Sequence, residues 1–307
     1  VPTLTFKLNP RPPFRLDLTV WALRRRPFNL VDRFDAGTWR RVLIVGRTPV
    51  GVSVTQTGPG ARPEIEVTIH ARRPAEVKAQ AAAIVTRMLG LEFDLADFYR
   101  LARNDATLAP LVDALRGMRP VRYATIFEAF ANAVAGQLVS LSAGMHVLNR
   151  LADAHGTSHC SAGVTMRSFP SASVVARATP ESLRAAGLSR PKAAYLIGLA
   201  RLAIDPKDRD FASTSELDDA AAASRLSQIR GVGRWTAEYV LLRGFGRVNI
   251  FPGDDVGGRN KLLQWLGHRE SADYEGVRRI VARWHPYAGL VYLHLVVNGV
   301  VMREDIG

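Results

Sequence analysis

Residues 249–261 read Asn-Ile-Phe-Pro-Gly-Asp-Asp-Val-Gly-Gly-Arg-Asn-Lys, so two adjacent carboxylates, Asp254 and Asp255, follow a Pro-Gly turn where a helix can start. An aspartate there has two readings. It can cap the helix by accepting from the free N–H groups of the first turn, a contribution of about 1 kcal/mol. It can also face a reacting group, where a fixed negative charge stabilises a developing cation or orients a water. Some twenty residues upstream, residues 226–237 read Leu-Ser-Gln-Ile-Arg-Gly-Val-Gly-Arg-Trp-Thr-Ala. One helix ends, Gly231-Val232-Gly233 turns tightly, and a second helix begins at Arg234. Glycines permit positive φ and close approach of a ligand to the backbone. The unpaired N–H groups opening the second helix suit a phosphate, held without regard to sequence. A plain pair of helices with glycine in its turn would look the same locally. Trp235 and Tyr239, four residues apart, share one helix face. They can be core rings, or walls on which an electron-poor base stacks.

Other reactive groups are few. Cys160 is the single cysteine, which rules out an intrachain disulfide and a four-thiolate iron–sulfur cluster. His155, His159 and Cys160 lie close in sequence, but no fourth ligand is near and zinc is not expected. The 307 residues carry 41 Lys and Arg against 28 Asp and Glu, a formal charge of +13. Such an excess attracts polyanions by releasing their counterions, although arginines scattered over a solvated surface would give the same sum. A hydrophobic share of 47% with 22% charged residues is that of a globular protein with a real core, and the length suits about two domains. No stretch approaches the roughly 18 apolar residues of a membrane helix. The first residues lack the segments of a signal peptide. The expectation is a cytoplasmic protein with no membrane association.

The elements that must position these groups are legible in outline. Val42–Val45, residues 50–54 and residues 65–69 are β-branched or alternating runs broken by Gly46 and Gly58-Pro59-Gly60, as in an antiparallel sheet. Pro74 opens an amphipathic helix that Gly90 stops. From about residue 94 the strand signal almost disappears. Ile126, Phe127, Phe130 and Val134 mark one helix, and residues 142–154 another. Thr179-Pro180 and Ser189 each introduce a further helix. Residues 217–228 and 234–243 form the pair around the glycine turn, and 275–300 is again helical in pattern. The fold class is therefore α+β: an N-terminal antiparallel sheet domain with helix (residues 1–105), then an all-helical domain (106–307) with the hairpin at about 217–243.

Taken together, the glycine hairpin and the downstream aspartate resemble the helix-hairpin-helix DNA glycosylase superfamily, and within it the AlkA-type 3-methyladenine DNA glycosylase II. The resemblance extends to Ala135-Gly136-Gln137-Leu138-Val139-Ser140, Gly233-Arg234-Trp235-Thr236-Ala237 with Tyr239, Leu242-Arg243-Gly244, Pro252 with Asp254-Asp255, and Leu293-His294. The β-rich first segment also looks like that family's N-terminal sheet domain. The resemblance implies base flipping and excision of an alkylated purine from double-stranded DNA by a monomer. It places the catalytic carboxylate at Asp255 and leaves Asp254 a structural role, capping the following helix. Trp235 stands where strand-cleaving members carry a Schiff-base lysine, so no lyase activity is expected. Gln137-Leu138 looks like the intercalating loop, with Leu138 the wedge. Gly231, Val232, Gly233 and Arg234 would grip the DNA backbone. No cofactor is required, though a structural Na+ or K+ could sit on the carbonyls of Ser227, Ile229 and Val232. His294 reads as a packing residue.

One departure stands out. Val296 falls where the family's aromatic stacks on the base, and Trp21 and Trp284 are the candidate rings to replace it. Two other functions fit part of the pattern: a glycosylase of this fold for oxidised or deaminated bases, and a non-catalytic binder that uses the hairpin alone.

Overall fold

A computed structural model of the chain describes residues 1–161, 164–205 and 213–304. The first segment builds one antiparallel sheet from β1 (Thr3–Leu8), β2 (Arg33–Asp35), β3 (Thr38–Val45), β4 (Thr48–Gln56) and β5 (Ile65–His70), in the order β1-β5-β4-β3-β2. Successive side chains alternate between faces. Ile65, Val67 and Ile69 are accordingly buried while Glu66, Thr68 and His70 stay partly open. α1 (Leu16–Arg24) lies between β1 and β2 in the chain, and α2 (Pro74–Leu89) packs across β1, β3 and β5. Pro74 opens α2, and Gly90 closes it in a left-handed conformation.

Helices then dominate: α3 (Ala96–Arg103), α4 (Leu108–Ala114), α5 (Ile126–Gly136), α6 (Leu141–His155), α7 (Ala172–Val175), α8 (Pro180–Ala185) and α9 (Arg190–Ile204). Caps expected from the sequence are in place: Thr179 accepts from Ser182 N–H, and Ser189 from Lys192 N–H. The hairpin helices are Asp219–Ser227 and Arg234–Val240, the second running on into a π-helical turn, Leu241–Phe245. Helices Val256–Trp265, Tyr274–Val281 and Ala288–Glu304 follow. None of the described helices is long and apolar enough to cross a membrane.

The α+β expectation is met with one correction. The second part is not purely helical, because β6 (Ser158–Ser161) and β7 (Val164–Arg167) form an antiparallel hairpin. Ser-His-Cys-Ser has no apolar alternation to announce a strand. Its support is tertiary: β6 meets β4 and β7 meets β3, with His159 packed where a side chain at Gly51 would otherwise stand.

The largest core joins distant parts of the chain. Trp39, Val52, Val54, Ile65 and Val67 on the sheet share one buried cluster with α1, α2, Trp284 and the helix Ala288–Glu304. A second cluster lies among α5, α6, α8 and α9, and a third under the glycine hairpin. α5 enters both smaller clusters, so it is the beam between them.

A buried ion triad fastens that beam to the sheet. The guanidinium of Arg41 on β3 donates to both oxygens of Asp32 at 2.9 Å and to both oxygens of Glu128 on α5 at 2.6 Å. All three residues are almost wholly buried. Burial pushes the Glu128 carboxyl up, and the neighbouring Asp32 charge adds to this while Arg41 opposes it. Removing the cation would strand two carboxylates in a dry interior. Breaking such a buried pair costs about 3–5 kcal/mol. Arg41→Met should therefore lower the unfolding free energy in urea by that order, and a loss below about 1 kcal/mol would show the triad to be energetically idle.

Candidate active site

The hairpin is built from local chemistry. Asp218 caps its first helix by accepting from Ala221 N–H at 2.8 Å. Val232 N–H donates to Ile229 carbonyl at 3.0 Å and closes the turn. Gly231 sits at φ +87°, and a Cβ there would lie 2.3 Å from the ring of Tyr195. Only glycine satisfies both limits. Val232 buries its side chain as an anchor, while Gly233 and Arg234 stay exposed at the start of the second helix. Gly233 offers that helix no side-chain cap, so its first N–H groups have no partner within the helix.

Asp255 begins the helix Val256–Trp265 and is its N-cap. Oδ2 accepts from Gly258 N–H at 2.7 Å and from the Tyr292 hydroxyl at 3.1 Å. Oδ1 accepts from Trp235 Nε1–H at 3.2 Å. The carboxylate thus receives donors from three elements, and it remains half-buried rather than sealed. A helix N-terminus also favours its negative charge. The capping role expected of Asp254 belongs to Asp255 instead. Asp254 pairs with Arg234 at 2.7 Å, and that guanidinium lies 3.6 Å from the centre of the Tyr274 ring. The Asp254 hydrogen bond holds the Arg234 guanidinium above its ordinary range.

Trp235 and Tyr239 share a helix face as expected, their ring centres 5.5 Å apart. Trp235 is half-buried, and its six-membered ring edge lies 3.6 Å from where a Gly136 Cβ would be. Tyr239 is buried deeper. Its hydroxyl meets that of Tyr123 at 2.7 Å and accepts from Arg25 at 3.3 Å, while Arg25 also reaches Asn132. Burial raises the Tyr123 phenol above its ordinary range. This polar layer beneath the aromatic pair is not legible in the sequence. Its members come from residues 25, 123, 132 and 239, and no local pattern joins them.

The loop after α5 leads to the surface. Leu138 is fully exposed at 103% and adopts φ +56°, which is unfavourable for a leucine. Val139 and Leu141 beside it are exposed as well. Gln137 ties this loop to the hairpin through Nε2–H donation to Gly231 carbonyl (3.1 Å) and Thr236 Oγ1 (3.0 Å). Lys192 on α9 donates to Gln137 carbonyl at 2.6 Å. Loop, hairpin and Trp235 are therefore one connected surface.

The two candidate replacement rings fare differently. Trp284 is corrected: it is 0% exposed, packs 5.5 Å from Trp265 and donates Nε1–H to Asp105 at 2.8 Å. It has no face to offer a base. Trp21 on α1 is half-buried, with the Arg24 guanidinium 4.9 Å from its ring. Val296 is partly buried against the main core. Tyr292, which no sequence motif singles out, contributes the ring that touches Asp255.

Comparison with known proteins agrees with this architecture. Residues 131–286 match the family described as HhH-GPD superfamily base excision DNA repair protein, and residues 5–123 match the AlkA N-terminal domain. A DNA-3-methyladenine glycosylase of Bacillus subtilis (strain 168) is 31% identical over 249 residues, 80% of each chain. DNA-3-methyladenine glycosylase 2 of Escherichia coli (strain K12) is 28% identical over 291 residues, 94% of this chain and 96% of that one. Among solved structures, the 3-methyladenine DNA-glycosylase from Archaeoglobus fulgidus superposes with a TM-score of 0.82 at 23% identity, covering 95% of this chain and 97% of that one.

His294 is a packing residue. It is buried, its Nδ1 lies 2.8 Å from Leu290 carbonyl, and its ring is 5.1 Å from that of Phe98. Burial pushes its pKa down to about 4, against about 6.5 when unfolded. Between these values the unfolded chain binds a proton that the native state refuses. Stability is therefore lost as pH falls from about 6.5 to 4, by on the order of 3 kcal/mol. Urea midpoints measured across that window should fall in the wild type, and His294→Asn should show a shallower fall. Equal slopes would remove His294 from the acid response.

Proposed function

The chain belongs to the HhH-GPD superfamily of base excision DNA repair proteins, and from that premise we propose that it is a monofunctional glycosylase for alkylated purines of the 3-methyladenine and 7-methylguanine type. The observation that carries this reading is the contact between Trp235 Nε1–H and Asp255 Oδ1. It sets an aromatic face and a half-buried carboxylate side by side at the mouth of the hairpin. Relatives bearing this activity in their names match over most of the chain, which supports the substrate class.

The chemistry follows from the residues. An N3- or N7-alkylated purine is already cationic and departs without a strong general acid. As it leaves, oxocarbenium character builds on the sugar, and the Asp255 carboxylate stabilises that charge or orients the attacking water. Trp235 presents its ring to the electron-poor base, with Tyr239 packed behind it. Leu138 fills the vacated space in the stack from the minor groove, and the N–H groups beginning at Gly233 and Arg234 hold a backbone phosphate. A tryptophan, which cannot form a Schiff base, stands at position 235 at the start of the second hairpin helix, and this supports an intact abasic site as the product.

A monovalent cation suits the turn. Its carbonyls at Ser227, Ile229 and Val232 are neutral oxygen donors close together in the chain, and that of Ile229 also accepts from Val232 N–H at 3.0 Å, leaving it one lone pair for an ion. Na+ or K+ held there would screen the phosphate charge. No other cofactor enters the proposal, which takes the protein to act as a monomer on duplex DNA.

Two measurements test it. In single-turnover assays on duplex DNA methylated with dimethyl sulfate, wild type should release methylpurines and break strands only after alkali. Asp255→Asn should bind the same duplex but release base at least about 100-fold more slowly, the scale of losing an electrostatic stabiliser. Release from hypoxanthine or 8-oxoguanine duplexes alone would reassign the lesion, and unchanged release by the variant would reassign the carboxylate.

Leu138→Gly separates stability from function at one position. Glycine relieves the left-handed backbone, so the melting temperature should hold or rise slightly. Base release should fall by about tenfold or more with the wedge gone, the order of a few kcal/mol of unstacking left uncompensated. A variant as active as wild type would show that the exposed leucine does not intercalate.

A further inference from the structure

The three donors to Asp255 are unequally shared. Oδ2 receives two, Gly258 N–H at 2.7 Å and Tyr292 O–H at 3.1 Å, whereas Oδ1 receives only Trp235 Nε1–H at 3.2 Å. A carboxylate oxygen offers two lone pairs. Oδ2 is saturated and Oδ1 keeps one free. The cap bond alone would not preserve this difference, because the terminal torsion of an aspartate is broad and nearly two-fold. The carboxylate could turn over and exchange its oxygens. A phenol fixed in the core removes that freedom.

Tyr292 is fixed in that way. It lies on the helix Ala288–Glu304 within the largest core, buried, with its ring edge-on to Phe251 at 5.2 Å between centres. A Cβ at position 258 would lie 2.4 Å from Tyr292 Cε2. The glycine therefore admits the ring to the carboxylate, so position 258 supplies one donor through its N–H and the room for the other.

We propose that Tyr292 is a positioning residue whose hydroxyl locks Oδ2 of Asp255 against the helix start, so that the free lone pair of Oδ1 is the one turned toward the sugar. The inference rests on Asp255 being the catalytic carboxylate. Burial, together with the adjacent Asp255 charge, raises the phenol well above its ordinary range, so it stays a donor throughout the working pH. The ionisable groups that act on the Tyr292 phenol are Asp255, Tyr239, Arg243 and Arg25, and Asp254, next to Asp255 in the chain, is paired with Arg234.

The test compares Tyr292→Phe, Tyr292→Ala, Asp255→Asn and the double variant Asp255→Asn/Tyr292→Phe. Each is assayed by single-turnover release from dimethyl-sulfate-methylated duplex, with spontaneous release subtracted at every pH. Phenylalanine keeps the ring and loses only the hydroxyl. Removing a donor disfavours the anion, so Tyr292→Phe should move the acidic limb of the pH–rate profile to higher pH and slow release about tenfold at neutral pH. Its melting temperature and affinity for a duplex carrying a tetrahydrofuran abasic analogue should match wild type. In the double variant the Tyr292 effect should vanish, because the carboxylate it acts through is gone.

A packing role predicts the reverse: Tyr292→Phe with the wild-type rate and profile, and only Tyr292→Ala impaired. That result overturns the inference while an inactive Asp255→Asn leaves the catalytic assignment standing. If Asp255→Asn itself remains active, it is the catalytic assignment that fails, and the Tyr292 inference falls with it.

Discussion

A carboxylate that must keep its charge while facing an aromatic ring has to be met by donors, because an unpaired buried charge is among the costliest features a fold can carry. Asp255 answers this with three partners from three separate elements: the start of its own helix, the hairpin helix through Trp235 and the C-terminal helix through Tyr292. Those elements must converge within hydrogen-bond distance, and much of the architecture serves that convergence. The C-terminal helix is held by the core that it shares with the sheet and α1. The hairpin helix is held by the cluster beneath Val232, Tyr239 and Val240. The N-terminal sheet, although far from the chemistry in sequence, is thus part of what sets the carboxylate in place.

A second chain of support runs through α5. The Arg41 triad anchors its first turn to the sheet, and its last residues feed the loop that presents Leu138. The backbone there is held in a conformation leucine disfavours, and Gln137 and Lys192 supply the compensating bonds. Strain of this kind persists only where its surroundings over-determine it. An exposed apolar side chain with a disfavoured backbone is hard to explain by folding alone, and both features fit a group meant to be pushed into something.

What can be read from the residues follows the range of the forces involved. Helix boundaries at Pro74, Gly90, Thr179 and Ser189 are legible because capping is settled within a few positions. The glycine turn is legible for the same reason. Cap and catalyst look like alternatives at Asp255 in the sequence, yet one oxygen can cap while the other remains available, and that needs coordinates to see. Asp254 attracts the capping role in the sequence because it too precedes the helix; its pairing with Arg234 spans 20 residues. Tyr292 to Asp255 spans 37 residues, Tyr123 to Tyr239 spans 116, and Arg25 to Tyr239 spans 214. No periodicity encodes such pairs. Trp284 misleads because an indole's type does not reveal whether its face is buried, and the β6–β7 hairpin escapes notice because the packing that supports it comes from the N-terminal sheet.

The Gln137 bridge has a consequence for how this protein would search DNA. One amide joins the loop bearing Leu138 to the turn at Gly231, so the proposed wedge and the proposed phosphate grip would behave as the two jaws of a caliper set to one opening. A caliper measures spacing and is indifferent to the letters between its jaws. On that proposal, recognition would fall to whichever base yields when the duplex is drawn through the gap. A weakly paired or distorted nucleotide would declare itself mechanically, before any pocket has examined its edge.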